Sequence, residues 1–444
     1  MKRLGVEPTE EELRKSIELD SAGRNQDIVD FIKMLADTEG PYSYMIDAAW
    51  GDGKTFFVKS VILILEMLGK RKAGEMPESG GLKTIIGKME GVDATFLPFY
   101  FNAWSNDFAD DPIIALLANM AVEFERYGLL RESKASEIVA AIVDAGLTFA
   151  GVPVKASSIV DSLTGKSVVD AYVDRAKTRS RIDQLCNDVL SKKADKIIVV
   201  IDELDRCRPD FAVHLLEQTK SLFASSNVIF VFATDSSQLA KAVGGVYGSG
   251  FDTTHFLERF FDERVTMTPV DSYAFTHDGR PLPSGFRFDN LVSEVYSSRV
   301  FTIRDSFRIK EKLDAARLHC AGSQYDDLPH LVAQQTVLPL LIFIEHDDME
   351  LFRRITSGAD PDAMFEYGQQ YSSFIENISC FVEHSGGNGD QRCSLEDCKK
   401  YMHDLCVVIY GSNRQSDEYR DAQDSTRGYE SFDSRVYCQL KFES

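Results

Sequence analysis

Residues 42–55 read YSYMIDAAWGDGKT, and this stretch decides the fold. The apolar run Tyr42–Asp47 has the length of a strand, Ala48–Thr55 contains glycines, and FFVKSVILILEML after it reads as a helix buried along much of its length. Strand, glycine loop and helix in that order form a phosphate-binding element. Successive backbone N–H groups can turn inward, with Gly51 and Gly53 allowing close approach. Lys54 supplies charge for β- and γ-phosphates, Thr55 a hydroxyl for Mg²⁺, and the helix N-terminus its positive dipole. Ala49, Trp50, Asp52 and Phe56 complete the candidate cofactor contacts. The strict pattern G-x-x-x-x-G-K-[ST] places glycine where this chain has Ala48, but the strand before and the helix after are the context the motif requires. An ordinary glycine-rich turn with a surface lysine is the other reading.

Outward from the loop, Ile197–Asp202 (IIVVID) is a continuous β-branched run of the kind buried in parallel sheets, and Glu203 follows it directly. Asp202 would hold Mg²⁺ through water, and Glu203 could polarise a water for in-line attack on a γ-phosphate. Asn227–Thr234 (NVIFVFAT) is a further strand, ending in Thr234 and Asp235, which could sense that phosphate or merely serve the strand-to-turn transition. Thr95–Phe101 (TFLPFYF) is another apolar strand, while Gln26–Ala36 and Phe211–Phe223 carry apolar residues at helical spacing. Alternating strands and helices predict an α/β fold, a parallel sheet with helices on both faces. Residues 1–20 are polar and charge-mixed, 69–94 read as a solvated excursion, and 112–190 as helical insertions.

Prolines and glycines cluster at Thr268–Ser284, so a first domain is expected over 1–270 and a second over 271–444. The second reads as mainly helical from Phe288 to about Cys406, including Leu331–Glu345 and Met349–Ile355. Val436, Cys438, Leu440 and Phe442 alternate as in a terminal strand.

Composition narrows the class. With 444 residues, 44% hydrophobic and 27% charged, the chain reads as an ordinary folded protein with room for more than one domain. A net charge of −21 opposes broad nucleic-acid binding. Eight scattered cysteines form no secreted disulfide framework, and the first residues lack an apolar leader, so a cytoplasmic setting is expected. Ile138–Val154 is the nearest approach to a membrane span, but Asp144 and Pro153 interrupt it and it falls short of about 18 clean apolar residues, so membrane contact is not expected.

Cys380, His384, Cys393, Cys398, His403 and Cys406 invite a zinc reading, yet their spacing matches no compact tetrahedral template and buried free cysteine is the favoured alternative. The acidic run Glu345–Glu350 reads as a solvated helix start.

Four blocks together resemble the KAP family of P-loop NTPases: AAWGDGKT; FNAW at Phe101–Trp104 with DDPIIALL after it; IDELDRCRPDFAVHLLEQTKSLF from Ile201 to Phe223; and FLERFFD at Phe256–Asp262. The resemblance spans about residues 20–310. It implies an extra strand between the two nucleotide motifs, phosphate and Mg²⁺ binding by Lys54 and Thr55, and an acidic cluster of Asp202, Glu203 and Asp205. Family members often carry aspartate where this chain has Glu203; either carboxylate can orient water, so hydrolysis is expected. Gly23–Asn25 resembles the segment where relatives meet adenine. In some relatives a membrane hairpin occupies the position of Ile138–Val154. Related NTPases often complete the site with an arginine that neutralises transition-state charge. Here Arg259 from a neighbouring subunit, Arg304 as a lid contact within the chain, and Arg206 are the candidates, each of which could instead be a structural ion-pair partner.

The expected function is an ATP- and Mg²⁺-dependent hydrolase switching its C-terminal region, an oligomer or a separate effector. A nucleotide-binding regulator that barely hydrolyses is the alternative, and a small-molecule kinase a weaker one. Several relatives of this family occur in bacterial systems that restrict phages, beside separate effector genes. No effector signature is visible in this chain, so a sensing or regulating part would be expected of it.

Overall fold

In the computed structural model, residues 8–72, 80–109, 111–126, 186–187, 190–191, 194–222, 227–248, 250–270, 287–322, 331–385, 393–411 and 414–426 are described. The chain divides into two compact units, Val6–Val270 and, apart from the first few residues, Asp271–Ser444.

The first unit is built on the apolar runs. Strands β1 (Tyr42–Asp47), β2 (Phe96–Asn102), β3 (Lys196–Asp202), β4 (Val228–Thr234) and β5 (Glu263–Thr266) form a five-stranded sheet in the order β2-β3-β4-β1-β5. Every pairing is parallel. Strand β4 therefore lies between the strand that enters the glycine loop and the strand that ends in Asp202, which is the extra strand the resemblance implies.

Alternation along each strand divides its side chains between two cores. Ile198, Val200, Ile229 and Val231 face one layer, with α1 (Glu10–Leu19), α2 (Asn25–Asp37), α3 (Lys54–Lys72) and α4 (Gly80–Gly87). Ile197, Val199, Ile201, Phe230 and Phe232 face the other, with α5 (Pro112–Arg126), α6 (Pro209–Leu222), α7 (Ser236–Tyr247) and α8 (Thr253–Glu258). Strands β3 and β4 are buried along their whole length, which is why they read as continuous apolar runs. Lys196 opens β3 and is buried too; its Nζ donates to the carbonyls of Leu35 (3.1 Å), Ala36 and Thr38 (2.7 Å), satisfying the C-terminal end of α2. Burial lowers its pKa.

Three elements differ from the sequence reading. Residues 10–19 form α1, capped by Thr9 and burying only Leu13 and Ile17, too few apolar positions for a periodic signal. Part of the expected solvated excursion is α4, which buries Leu82, Ile85 and Ile86. Strand β5 is short and mostly exposed at the sheet edge, so no apolar run announces it. The stretch Ile138–Val154, most of the expected insertion and the alternating residues Val436–Phe442 lie outside the described residues. Among those described, no helix is long and apolar enough to cross a membrane.

The second unit is helical over its described residues: α9 (Arg287–Ser298), α10 (Ile303–Gly322), α11 (Leu338–Asp347), α12 (Met349–Thr356), α13 (Ala363–Gly368), α14 (Ser372–Ser385), α15 (Leu395–Tyr410) and α16 (Asp417–Ser425). Its core joins Leu291, Val295, Phe343, Ile344, Phe374, Leu405 and neighbours. Asp348, within the acidic run, accepts from the N–H groups of Glu350 and Leu351 and caps α12. Cys393, Cys398 and Cys406 form no disulfide among the described residues, where no cluster that could hold a metal occurs either. Burial raises the Cys406 pKa to about 12, which fits a structural thiol.

Candidate functional site

The register places four strand ends side by side: Asp47 pairs with Thr234, and Asp202 pairs with Ala233 on one side and Asn102 on the other. Loops leaving this edge carry the sequence-predicted residues, as expected for open parallel sheets, whose ligands meet the carboxyl ends of the strands.

After Asp47 the chain turns through residues 48–53 into α3. Gly51 (φ +96°) and Gly53 (φ +82°) adopt the left-handed conformation that needs glycine. Ala48 does not require one, since Asp20 and Glu203 are the only non-glycine residues with positive φ among those described. The Ala48 N–H donates to Thr234 O (3.4 Å), and the Ala49 N–H to the Asp52 carboxylate (3.1 Å). Lys54 is buried, with Nζ donating to the Ala48 (2.6 Å) and Ala49 (3.2 Å) carbonyls, so its charge is held over the loop. Thr55 and Phe56 follow in the first turn, half-buried.

The loop is braced from outside. Arg24, 6% exposed, donates Nη1–H to Asp52 O (2.6 Å) and Nε–H to Thr268 O (2.9 Å). Asp27 accepts from the N–H and hydroxyl of Thr268, fixing the same segment. Desolvation lowers the Arg24 pKa and raises that of Asp52. Arg24 belongs to the segment expected near adenine, and its observed contacts are to loop backbone.

Asp202 is 1% exposed. Its carboxylate accepts from the Tyr100 hydroxyl (2.8 Å) and the Glu203 N–H (2.8 Å), and lies close enough to the Thr55 hydroxyl for that group to act on its protonation. Burial raises its pKa, while Thr55 and Tyr100 oppose that rise. Burial, together with Asp202, also raises the Tyr100 pKa. A threonine hydroxyl beside a buried carboxylate is the hard-oxygen donor set that Mg²⁺ takes, so these residues fit the ion.

Glu203 sits at φ +60°, a conformation costly for a residue with a side chain. Its Oε2 accepts from Asn102 Nδ2 (3.0 Å), and its Oε1 pairs with Arg206 Nη1 (2.7 Å). Asp205 is buried and accepts from both the Trp50 indole N–H and the Asp235 N–H, linking the glycine loop to the end of β4. Thr234 is fully buried and its hydroxyl has no hydrogen-bond partner among the described residues. Asp235 caps α7, its Oδ1 accepting from Ser237 and Gln238 N–H groups. Asp47 is held by Ser236 and Arg264.

The arginine candidates separate. Arg206 is on Glu203, Arg259 is exposed at the C-terminus of α8, and Arg304 is exposed in α10 of the other unit. Asn102 and Tyr100 had no role assigned from sequence, and Arg24 was read only as part of the segment expected near adenine. The strand-end FNAW block signalled the position of Asn102, but the partners of Tyr100 and Arg24 depend on tertiary contacts.

No protein with a curated description matches the chain. Among solved structures, the Aeropyrum pernix ORC1 protein in complex with DNA is similar at 12% identity and TM-score 0.33, over 88% of this chain and 83% of that one. Drosophila ORC bound to GC-rich DNA and Cdc6 is similar at 9% identity and TM-score 0.31, over 96% and 72%. Likenesses of this degree establish no shared function. The KAP family P-loop domain, however, matches residues 24–276, a span holding the glycine loop, Asp202, Glu203 and every strand of the sheet. That span is more than half of the chain, and the protein belongs to the KAP family of P-loop NTPases.

Proposed function

We propose that this protein binds ATP with Mg²⁺ at the glycine loop, hydrolyses it, and uses the cycle to switch a partner or an assembly of its own copies. The observation that carries this reading is the convergence of Lys54, the Thr55–Asp202 pair, Glu203 and the unpartnered Thr234 hydroxyl at one sheet edge. A buried hydroxyl without a partner costs free energy, and a ligand oxygen would satisfy it.

In this reading the inward amides and Lys54 hold phosphate oxygens. Thr55 and Asp202 hold Mg²⁺, which compensates charge on the phosphates when bound. Glu203 orients the attacking water and takes its proton, Thr234 donates to a phosphate or water oxygen, and Asp235 keeps α7 in place. Exposed Arg259 is available to a neighbouring copy, and Arg304 to a lid movement. A cytoplasmic setting and a regulatory part in bacterial anti-phage defence, with damage done by a separate effector, accord with the family membership.

Titration with a fluorescent ATP analogue tests the binding half. Wild type is expected to bind more tightly with Mg²⁺ than with chelator, Lys54→Ala to weaken binding at least about tenfold, and Thr234→Val roughly threefold to tenfold. Binding indifferent to Lys54 and Mg²⁺ would overturn the assignment.

A further inference from the structure

Glu203 is proposed to orient water, yet each of its carboxylate oxygens already receives a donor: Asn102 Nδ2 at 3.0 Å on Oε2 and Arg206 Nη1 at 2.7 Å on Oε1. The Arg206 guanidinium also lies 5.6 Å from the centroid of the Trp104 ring, which is 54% exposed. Trp104 stands two residues after Asn102, the last residue of β2, so the direct donor to Glu203 and the ring beside Arg206 both come from the end of that strand.

The backbone adds to this. Glu203 is at φ +60° between β3 and the short turn Leu204–Arg206, and the Arg206 N–H donates to Glu203 O at 3.2 Å. This turn brings the guanidinium three residues on back over the glutamate carboxylate. An arginine serving a neighbouring copy would have to leave this pair, and its cation–π contact with Trp104 opposes departure.

We propose that Arg206 is a positioning residue that restrains Glu203, with Trp104 as the surface element that holds the guanidinium in the restraining position. The inference rests on the hydrolytic reading above and deepens it: the resting enzyme has its base tied back. A carboxylate oxygen held by a guanidinium at 2.7 Å, with the other oxygen on Asn102, is turned toward these donors and not toward a water. Turnover is therefore limited by release of Arg206, and anything that draws Arg206 or Trp104 away raises it.

Steady-state ATP turnover with Mg²⁺ tests this on the full-length chain, comparing wild type with Arg206→Ala, Arg206→Lys and Trp104→Ala. Arg206→Ala is expected to raise kcat roughly threefold to tenfold with KM within about twofold, the factor one half-buried ion pair supplies. Arg206→Lys should fall between, since lysine keeps the charge but not the planar fork of donors. Trp104→Ala, at an exposed position that does not endanger folding, should raise kcat in the same direction. A kcat for Arg206→Ala or Trp104→Ala at or below wild type, with melting temperature and ATP affinity retained, would overturn the restraint while leaving the hydrolytic reading intact. Absence of phosphate release from wild type and all three variants would instead remove the hydrolytic reading and the restraint with it. Release from Arg206→Ala alone would be the strongest support for a tied-back base.

Discussion

Asp202 illustrates the cost of burying a carboxylate at the end of a strand. Burial raises its pKa, so at neutral pH the folded state holds a charge that its surroundings penalise. For an acid whose pKa is raised on folding, the favourable contribution is complete below the ordinary value near 3.8 and is lost as pH rises through the folded value. Asp202→Asn is therefore expected to raise the melting temperature of the nucleotide-free protein by a few degrees at neutral pH and to abolish Mg²⁺-dependent turnover. The thermal gain should shrink as pH falls toward the ordinary carboxylate range. Calorimetry across pH checks this, and a variant less stable than wild type at neutral pH would contradict the burial argument. Arg24 makes the opposite case. Its two bonds to backbone carbonyls brace the loop, so Arg24→Ala should cost about 2–3 kcal/mol in denaturant unfolding and weaken ATP-analogue binding.

At the scale of elements, sequence legibility followed burial. Strands β3 and β4 were readable to within a residue because both faces are covered and their apolar runs are unbroken. The Ser236–Tyr247 helix shows its start in the Asp235 cap, but α1 and α4 bury too few residues to stand out from solvent-facing sequence. Within the site, the glycine loop and the Asp202–Glu203 pair were legible because phosphate chemistry demands those residue types in a fixed order. The partners of Glu203, Asp205 and Arg24 were not, since Trp50 meets Asp205 and Asn102 meets Glu203 only once the parallel register aligns the strand ends. Two element-scale substitutions follow. Lys196→Met should cost about 2–3 kcal/mol, because three carbonyls around the end of α2 lose a charged donor. Gly358 lies at φ +71°, and a Cβ there would stand 2.6 Å from Tyr410 O on α15, so Gly358→Ala should destabilise the second unit by about 2 kcal/mol or more. Denaturant titration reads both.

Over the whole molecule, the two units have separate cores, one layered on a parallel sheet and one helical. Nucleotide binding to the first unit should raise the melting transition of that unit, by about 2.7 kcal/mol of added stability when free nucleotide is about 100-fold above Kd. Differential scanning calorimetry with and without Mg²⁺ and ATP reads this shift, and Lys54→Ala should lose it. A switch requires a cycle as well as a bound state. The most direct measurement is phosphate release from ATP and Mg²⁺ by wild type, Lys54→Ala and Glu203→Gln over a range of protein concentrations. Turnover by wild type that falls at least about 100-fold in each variant, with Glu203→Gln still binding ATP, is the predicted result. Specific activity that rises with concentration would add shared sites between copies. Wild type that binds ATP yet releases no phosphate at any concentration, or Glu203→Gln that hydrolyses as fast as wild type, would contradict it.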